Sequence, residues 1–421
     1  MKAADVGPAA PADQTQSSFD LFLIFIGANI VATTFQVGAS LAASFTVSTA
    51  NVLIIAGSVA GAALVAALAP LGPRLRVPSV IAARPALGIQ GAALVAVVLY
   101  VSNFAWIALN NVIAASACAR LFGAVPGSTA AQSAWAFALG LLATVVVWRG
   151  PTAVARADRI AVPLLLAVGV ALTVACMRVP AGVNALPAVA MRWSRGLDVV
   201  IGYQVSWILM FADYSRYTKS TRGSATAVFL GLALTSAWMM PLGAVAARAA
   251  GSADPGAMLG AVGLGGAGAV LLVLATLTTN FVNIYMSSLA WKSLMPRARD
   301  GAVIWSIGLI GAIISAVPGA WLDRYATLMV TLGALLVPVG GLLVAHYYLP
   351  RLDVDEAFIA DLYRRDGRFR GMSVPGLAAW AAGAVAFFAS ESLGGTLPAL
   401  GVSVVVYVAL RRVVARQRTS S

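Results

Sequence analysis

The chain has 421 residues, 60 % of them hydrophobic and 10 % charged, with a formal net charge of +13. That leaves too little polar surface to cover a soluble globule. The basic residues fall in alternate loops rather than in one patch, which argues against nucleic-acid binding and makes the lipid bilayer the expected solvent.

Residues Met1 to Ser18 are rich in Ala, Pro, Gln and Ser, lack the basic and apolar regions of a signal peptide, and read as a disordered cytoplasmic tail. Apolar runs then recur at about the 20 residues that cross a bilayer. They give twelve spans, at 19–45, 50–71, 88–121, 131–148, 153–178, 196–217, 224–250, 260–293, 301–318, 321–348, 374–391 and 394–414. The expected organisation is a first repeat over 19–178, a second over 196–348, a cytoplasmic loop over 349–373, a terminal pair over 374–414 and a tail over 415–421. With a cytoplasmic N-terminus, only Arg120, Arg178, Arg192, Arg195, Arg248 and Arg324 lie outside, so 22 of the 28 lysines and arginines lie inside. This asymmetry predicts a multi-pass inner-membrane protein with both termini cytoplasmic. Cys118 and Cys176 read as small buried hydrophobes.

Span one carries Asn29, Thr33, Thr34, Gln36 and Gly38 in its middle, and span six carries Gly202, Tyr203, Gln204 and Ser206 at comparable depth. Transporters built from inverted repeats interrupt their first helices near the midplane, and the spacing of these two spans fits a five-plus-five repeat. Small residues alone also serve helix packing. The amides of Asn29, Gln36 and Gln204 require partners that lipid does not supply.

In span three, Asn103, Trp106 and Asn110 share one helical face, with Asn111 beside them. An indole offers a plane on which a heterocycle stacks, and amides both donate and accept along a base edge. Span eight holds the run Thr276, Thr278, Thr279, Asn280 and Asn283. Adjacent hydroxyls with main-chain carbonyls freed by a broken first helix suit a hard monovalent cation. No catalytic constellation accompanies the single histidine, His346, so an enzyme is not expected, and neither is a cofactor beyond a coupling ion. Asp213 and Arg216, three apart at the inner end of span six, fit either a gate or a structural clamp.

The sequence Phe211-Ala212-Asp213-Tyr214-Ser215-Arg216-Tyr217 resembles the signature of the nucleobase:cation symporters, which include cytosine, purine and hydantoin permeases. The stretch Pro78 to Gly91 and the Thr278-Thr279-Asn280 run are similar to theirs in order and spacing. The resemblance implies an all-α transporter with helices 1 and 6 broken and two added C-terminal helices, importing a planar heterocycle such as cytosine by alternating access. By position, Trp106 would stack the substrate, with Asn103, Gln36 and Asn283 holding its edge and Asn280 between the substrate and ion sites. Thr278, Thr279 and the main-chain oxygens of Ala32, Phe35 and Ala275 would hold sodium. Relatives often place a second ring at the position aligned with Gln204, and here Tyr203 or Trp207 would have to supply it. Proton coupling, with a thiamine precursor, hydantoin or allantoin as substrate, is the alternative within the class, and a non-transporting heterocycle sensor the alternative outside it. No obligate protein partner is indicated.

Overall fold

The computed structural model describes residues 6–123, 128–180, 190–295, 297–349 and 354–419. Lys2, Arg351 and Pro296, which entered the charge and loop readings above, lie outside them. The described residues form helices, with one isolated bridge between Gln16 and Thr218. The first half comprises α1 (Ser18–Asn29), α2 (Ala32–Ala42), α3 (Val47–Leu68), α4 (Leu71–Leu75), α5 (Ser79–Ala82), α6 (Arg84–Leu121), α7 (Thr129–Trp148) and α8 (Pro151–Met177). The second comprises α9 (Trp193–Val205), α10 (Phe211–Ser215), α11 (Thr221–Ala250), α12 (Pro255–Ala261), α13 (Gly265–Leu294), α14 (Asp300–Ser315), α15 (Gly319–Leu322) and α16 (Tyr325–Tyr348). After it come α17 (Glu356–Asp361), α18 (Val374–Ala389) and α19 (Thr396–Thr419).

Among the described residues, eight helices are long and apolar enough to cross a membrane, or nine if α1 and α2 count as one bent span. The other three expected spans coincide with the interrupted α9–α10 and with α14 and α18, each 16 residues long. These two are shorter than the roughly 20 residues of a full crossing. The span expected at 260–293 is the single helix α13, which begins a few residues later because the short α12 ends at Ala261.

Both expected interruptions are present. Ile30 and Val31 leave helical geometry, and α1 and α2 meet at 54°. In the sixth span, a 3₁₀ turn over Ser206–Met210 separates α9 from α10. An unpaired backbone group costs several kcal/mol in hydrocarbon, and at the first break polar side chains fill the gap. Thr34 Oγ1 donates to the Asn29 carbonyl at 2.6 Å, and the Tyr325 hydroxyl donates to the Thr33 carbonyl at 2.7 Å. The Asn29 amide donates to Ser236 Oγ at 2.9 Å and to the Leu232 carbonyl at 3.2 Å, while Tyr203 donates to Asn29 Oδ1 at 3.1 Å. Asn29 is thereby a structural bracket that joins α1 to α9 and α11.

The loops that carry the expected inside and outside bases are each held by their own ion pairs and hydrogen bonds. Arg76 pairs with Glu356, Lys292 with Asp300, and Arg84 donates to the Leu362 carbonyl at 2.7 Å, all at the arginine-rich end. At the opposite end, Arg120 pairs with Asp254 and Arg195 with Glu391, while Arg248 donates to the Phe45 carbonyl at 2.6 Å. Cys118 and Cys176 are buried and free, in keeping with their reading as small hydrophobes.

The expectation of a disordered tail is corrected for residues 6–18. Gln14 donates to the carbonyls of Pro73, Arg216 and Thr218, and the Gln16 amide to that of Tyr217. The Ala9 amide donates to the Arg76 carbonyl, and the Val6 carbonyl accepts from Tyr363. Polar composition in this stretch serves docking: amide side chains and main-chain groups pair with loop carbonyls instead of water.

Helices α2 and α11 touch through glycine. A β-carbon on Gly38 would lie 1.7 Å from the Met240 carbonyl oxygen, and one on Gly243 would lie 1.8 Å from that of Phe35. Gly243→Val is expected to force the two backbones apart at a cost of about 1–3 kcal/mol or more, the usual penalty of overpacking. A thermal melt of the purified chain checks this, and an unchanged midpoint would refute the close crossing.

Candidate functional site

The two breaks face each other across a narrow central cavity, with about 30 Å³ of space for water. Its walls are Ala28, Val31 and Thr33 from the first span, Trp106 from α6, and Tyr203, Ser206, Trp207 and Met210 from the sixth span. Thr279, Val282 and Asn283 of α13 complete it. The rings of Trp106 and Tyr203 meet edge to face, with centroids 5.6 Å apart and planes at 84°. The lining thus combines three aromatic rings with hydroxyl and amide groups, a composition suited to a flat, partly polar solute.

A larger vestibule, with about 430 Å³ of space for water, shares the walls Ala28, Thr279 and Val282 with the cavity. It runs past Gly27, Tyr285 and Thr278 to Gln16, Asp213 and Tyr217 at the arginine-rich end. These shared residues are the partition between the central cavity and that end of the molecule.

Behind the cavity, α6 and α13 are joined by a chain of amides. Asn110 donates to the Trp106 carbonyl at 2.9 Å and reaches Asn280 Oδ1 at 3.5 Å. Asn280 donates to Asn111 Oδ1 at 2.8 Å, and Asn111 donates to Ser315 Oγ on α14 at 2.9 Å. Asn283 reaches Asn280 Oδ1 at 3.4 Å, and Thr276 donates to the Asn110 carbonyl at 2.8 Å. Asn110 and Asn280 are wholly buried in this network, which holds the helix bearing Trp106 in register with the helix bearing Asn283.

Of the residues expected to contact a substrate, Trp106, Tyr203 and Asn283 line the central cavity. Three do not. Gln204 faces α3, where its side chain packs on Gly61, because one step along a helix turns a side chain by about 100° and Tyr203 already faces the cavity. Gln36 donates to the Ala253 carbonyl at 3.0 Å, toward the end away from the vestibule. Asn103 is fully buried outside the cavity lining, and neither of its amide atoms finds a partner among the described residues.

The five expected sodium ligands stand on either side of Val31. Thr279 borders the central cavity and Thr278 the vestibule, whereas Ala32, Phe35 and Ala275 border a small apolar space. The hydroxyls of Thr278 and Thr279 both donate to the Ala275 carbonyl, at 3.1 and 2.7 Å, which leaves their oxygen lone pairs available. An oxygen-only donor set of this kind fits a hard cation.

Asp213 and Arg216 are both buried, which excludes an exposed surface pair. Ser79 Oγ donates to Asp213 at 2.6 Å and accepts from the Ala212 amide at 2.8 Å. Arg216 donates to the Gly7 carbonyl at 3.2 Å and to the Tyr217 hydroxyl at 2.8 Å. Ser215, between them, donates to the Ala69 carbonyl at 3.0 Å. The Asp-Tyr-Ser-Arg-Tyr run is thus a weld between the end of the sixth span, the α3–α5 connection and the N-terminal strap. Ser79→Ala removes the donor to a buried carboxylate and is expected to destabilise the chain by about 1–3 kcal/mol. Chemical or thermal denaturation checks this, and Ser79→Thr should recover most of the loss.

Ser206, one of the polar residues that mark the sixth span, lines the cavity too, as do Ala28, Val31, Met210 and Val282, whose side chains carry no such mark in the sequence. Tyr325, which seals the first break from α16, is equally unmarked, since one tyrosine at a span end reads as an interfacial anchor.

The profile of the family described as permeases for cytosine/purines, uracil, thiamine and allantoin matches residues 8–409. The cytosine permeases of Escherichia coli O157:H7 and of strain K12 are 28 % identical over 217 residues, 50 % of this chain and 51 % of each permease. That alignment spans about half the length of these curated relatives. Among solved structures, the inward-facing conformation of Mhp1 superimposes with a TM-score of 0.82 at 22 % identity, covering 98 % of this chain and 93 % of that one. Mhp1 closed around bromovinylhydantoin, described as a nucleobase-cation-symport-1 family transporter, gives 0.79 at 21 % identity, covering 98 % and 95 %. At these identities the structural likeness shows the fold.

Proposed function

The chain belongs to the family of permeases for cytosine/purines, uracil, thiamine and allantoin, and we propose that it carries a nucleobase or related planar heterocycle, such as cytosine, across the membrane together with sodium. The observation that carries this reading is the aromatic and amide lining of a cavity set between two helix breaks, with Trp106, Tyr203 and Asn283 in its wall. In this reading the solute stacks on Trp106, and Asn283, steadied by Asn280, reads its hydrogen-bonding edge.

The vestibule that abuts the cavity supports an alternating-access cycle in which the solute leaves toward the arginine-rich end, the cytoplasmic one in this reading. Thr278 and Thr279 face this vestibule and cavity while Ala32 and Phe35 do not, so the cation site would assemble as the first span closes on α13 and fall apart as it opens. Ion binding then favours the closed arrangement by its differential affinity for the two states.

Equilibrium binding of radiolabelled cytosine, uracil, hypoxanthine and allantoin to the purified chain tests this. Sodium is expected to strengthen binding of one of them, and Trp106→Ala to weaken it by about 1–3 kcal/mol, roughly ten- to a hundred-fold, the usual cost of losing a stacked base. Thr278→Ala with Thr279→Ala should remove the sodium effect while leaving weak sodium-free binding. Uptake into vesicles that ignores sodium but collapses with a protonophore would overturn the coupling ion.

A further inference from the structure

A second cavity, sharing no lining residue with the central one, lies at the arginine-rich end and has about 420 Å³ of space for water. It opens between the start of α6, the end of α13 at Leu294 and the 363–371 segment after α17. Three of its lining residues are arginines, Arg84, Arg365 and Arg370, and no carboxylate lines it among the described residues. The neighbouring acids are engaged elsewhere: Asp361 pairs with Arg368, Asp366 with Arg364, and Glu356 with Arg76. A concave site holding three guanidinium groups and no acid is built for an anion with several acceptor oxygens.

The other wall is apolar and leads into lipid. Ile89, Ala92, Ala93 and Leu294 line the cavity, and along the same helix Leu94, Val97 and Val101 are exposed, the helical continuation of that wall. A soluble anion gains nothing from this surface, whereas an acyl chain does. The site is also fixed in shape. The amides of Ile89 and Gln90 donate to the carbonyls of Phe369 and Gly371 at 2.9 Å each, and the Ser373 amide donates to the Leu87 carbonyl at 2.8 Å. Gly88, at φ 77°, turns the backbone there, and a β-carbon on it would lie 2.5 Å from the Gly371 oxygen.

We infer that this cavity binds the phosphate headgroup of an acidic phospholipid from the leaflet at the arginine-rich end, clasped by Arg84, Arg365 and Arg370 with its chains along the outer face of α6. Basic pockets among membrane helices recognise such headgroups through the same combination of charge and adjoining hydrocarbon. The bound lipid fastens the 354–373 segment to α6, and the site is independent of the central cavity and its substrate.

Native mass spectrometry of the full chain in detergent, titrated with phosphatidylglycerol, phosphatidylcholine or inorganic phosphate, tests this. The native chain should retain phosphatidylglycerol and not phosphatidylcholine. Arg365→Gln with Arg370→Gln, both at exposed positions, should weaken that binding about ten- to thirty-fold with an unchanged melt in lipid-free detergent. Ala93→Trp, which fills the apolar wall, should weaken phosphatidylglycerol binding as well. Equal retention of phosphatidylcholine, or equal phosphatidylglycerol binding by the arginine variant, overturns the site. Binding of inorganic phosphate that depends on the two arginines but is indifferent to Ala93→Trp assigns the pocket to a free anion and overturns the lipid.

Discussion

The organisation of this molecule follows from one constraint: a helix interrupted inside hydrocarbon must have its freed backbone groups paired by protein. Around Ile30 and Val31 the carbonyls of Asn29 and Thr33 are paired by Thr34 and Tyr325, and Tyr203 braces the side chain of Asn29, so the first, sixth and tenth expected spans all contribute. The residues that close the break are therefore the residues that bring these spans together. Tyr203 serves twice, since its hydroxyl belongs to the break and its ring borders the cavity beside Trp106. A change at Tyr203 therefore also removes the hydroxyl that braces Asn29 and Thr34 at the break.

A division of labour follows. The α6–α13 pair carries a chain of buried amides that fixes Trp106 and Asn283 relative to each other. The α2–α11 pair is joined by glycines and bare backbone. One contact is directional and polar, the other a matter of shape, and both produce rigid pairs. At the boundary between them, Val31, Thr279 and Val282 border the central cavity instead of packing directly. Among the buried polar atoms, both amide atoms of Asn103 and of Gln204 and the hydroxyl of Ser287 find no partner among the described residues. In a low-dielectric interior such groups are expensive, and a rearranged state that pairs them would offset part of the cost of leaving the present one.

The fold was largely legible in the sequence because bilayer-spanning helices announce themselves by length and hydropathy, and because polar residues in the middle of an apolar run have few explanations. That logic located both breaks, the positively charged end and the Trp106 face. It was weaker wherever a residue's direction mattered more than its type. Gln204 and Tyr203 are neighbours of similar polarity at the same depth, and only the helical phase set by Gly202 packing against α16 decides which enters the cavity. Gln36, Asn103 and Asn110 carry the right chemistry on walls that other helices cover. Composition also misled at the N-terminus, where a polar, proline-containing stretch looks solvated until the carbonyls that receive it are known.

That N-terminal strap has a consequence for how the chain is made. Val6 is held by Tyr363, 357 positions later, and Gln14 by the carbonyls of Arg216 and Thr218, more than 200 positions later. None of these partners exists when residues 6–16 leave the ribosome. The strap must wait while helix after helix enters the bilayer, and it docks only when the segment after α17 has been synthesised. Its contacts then tie the start of the chain to Arg76, to Arg216 and Thr218 and to Tyr363 at one end, with α18 and α19 still to follow in the chain. A bulky group placed ahead of Val6 would act on this docking step, leaving insertion of the individual helices untouched.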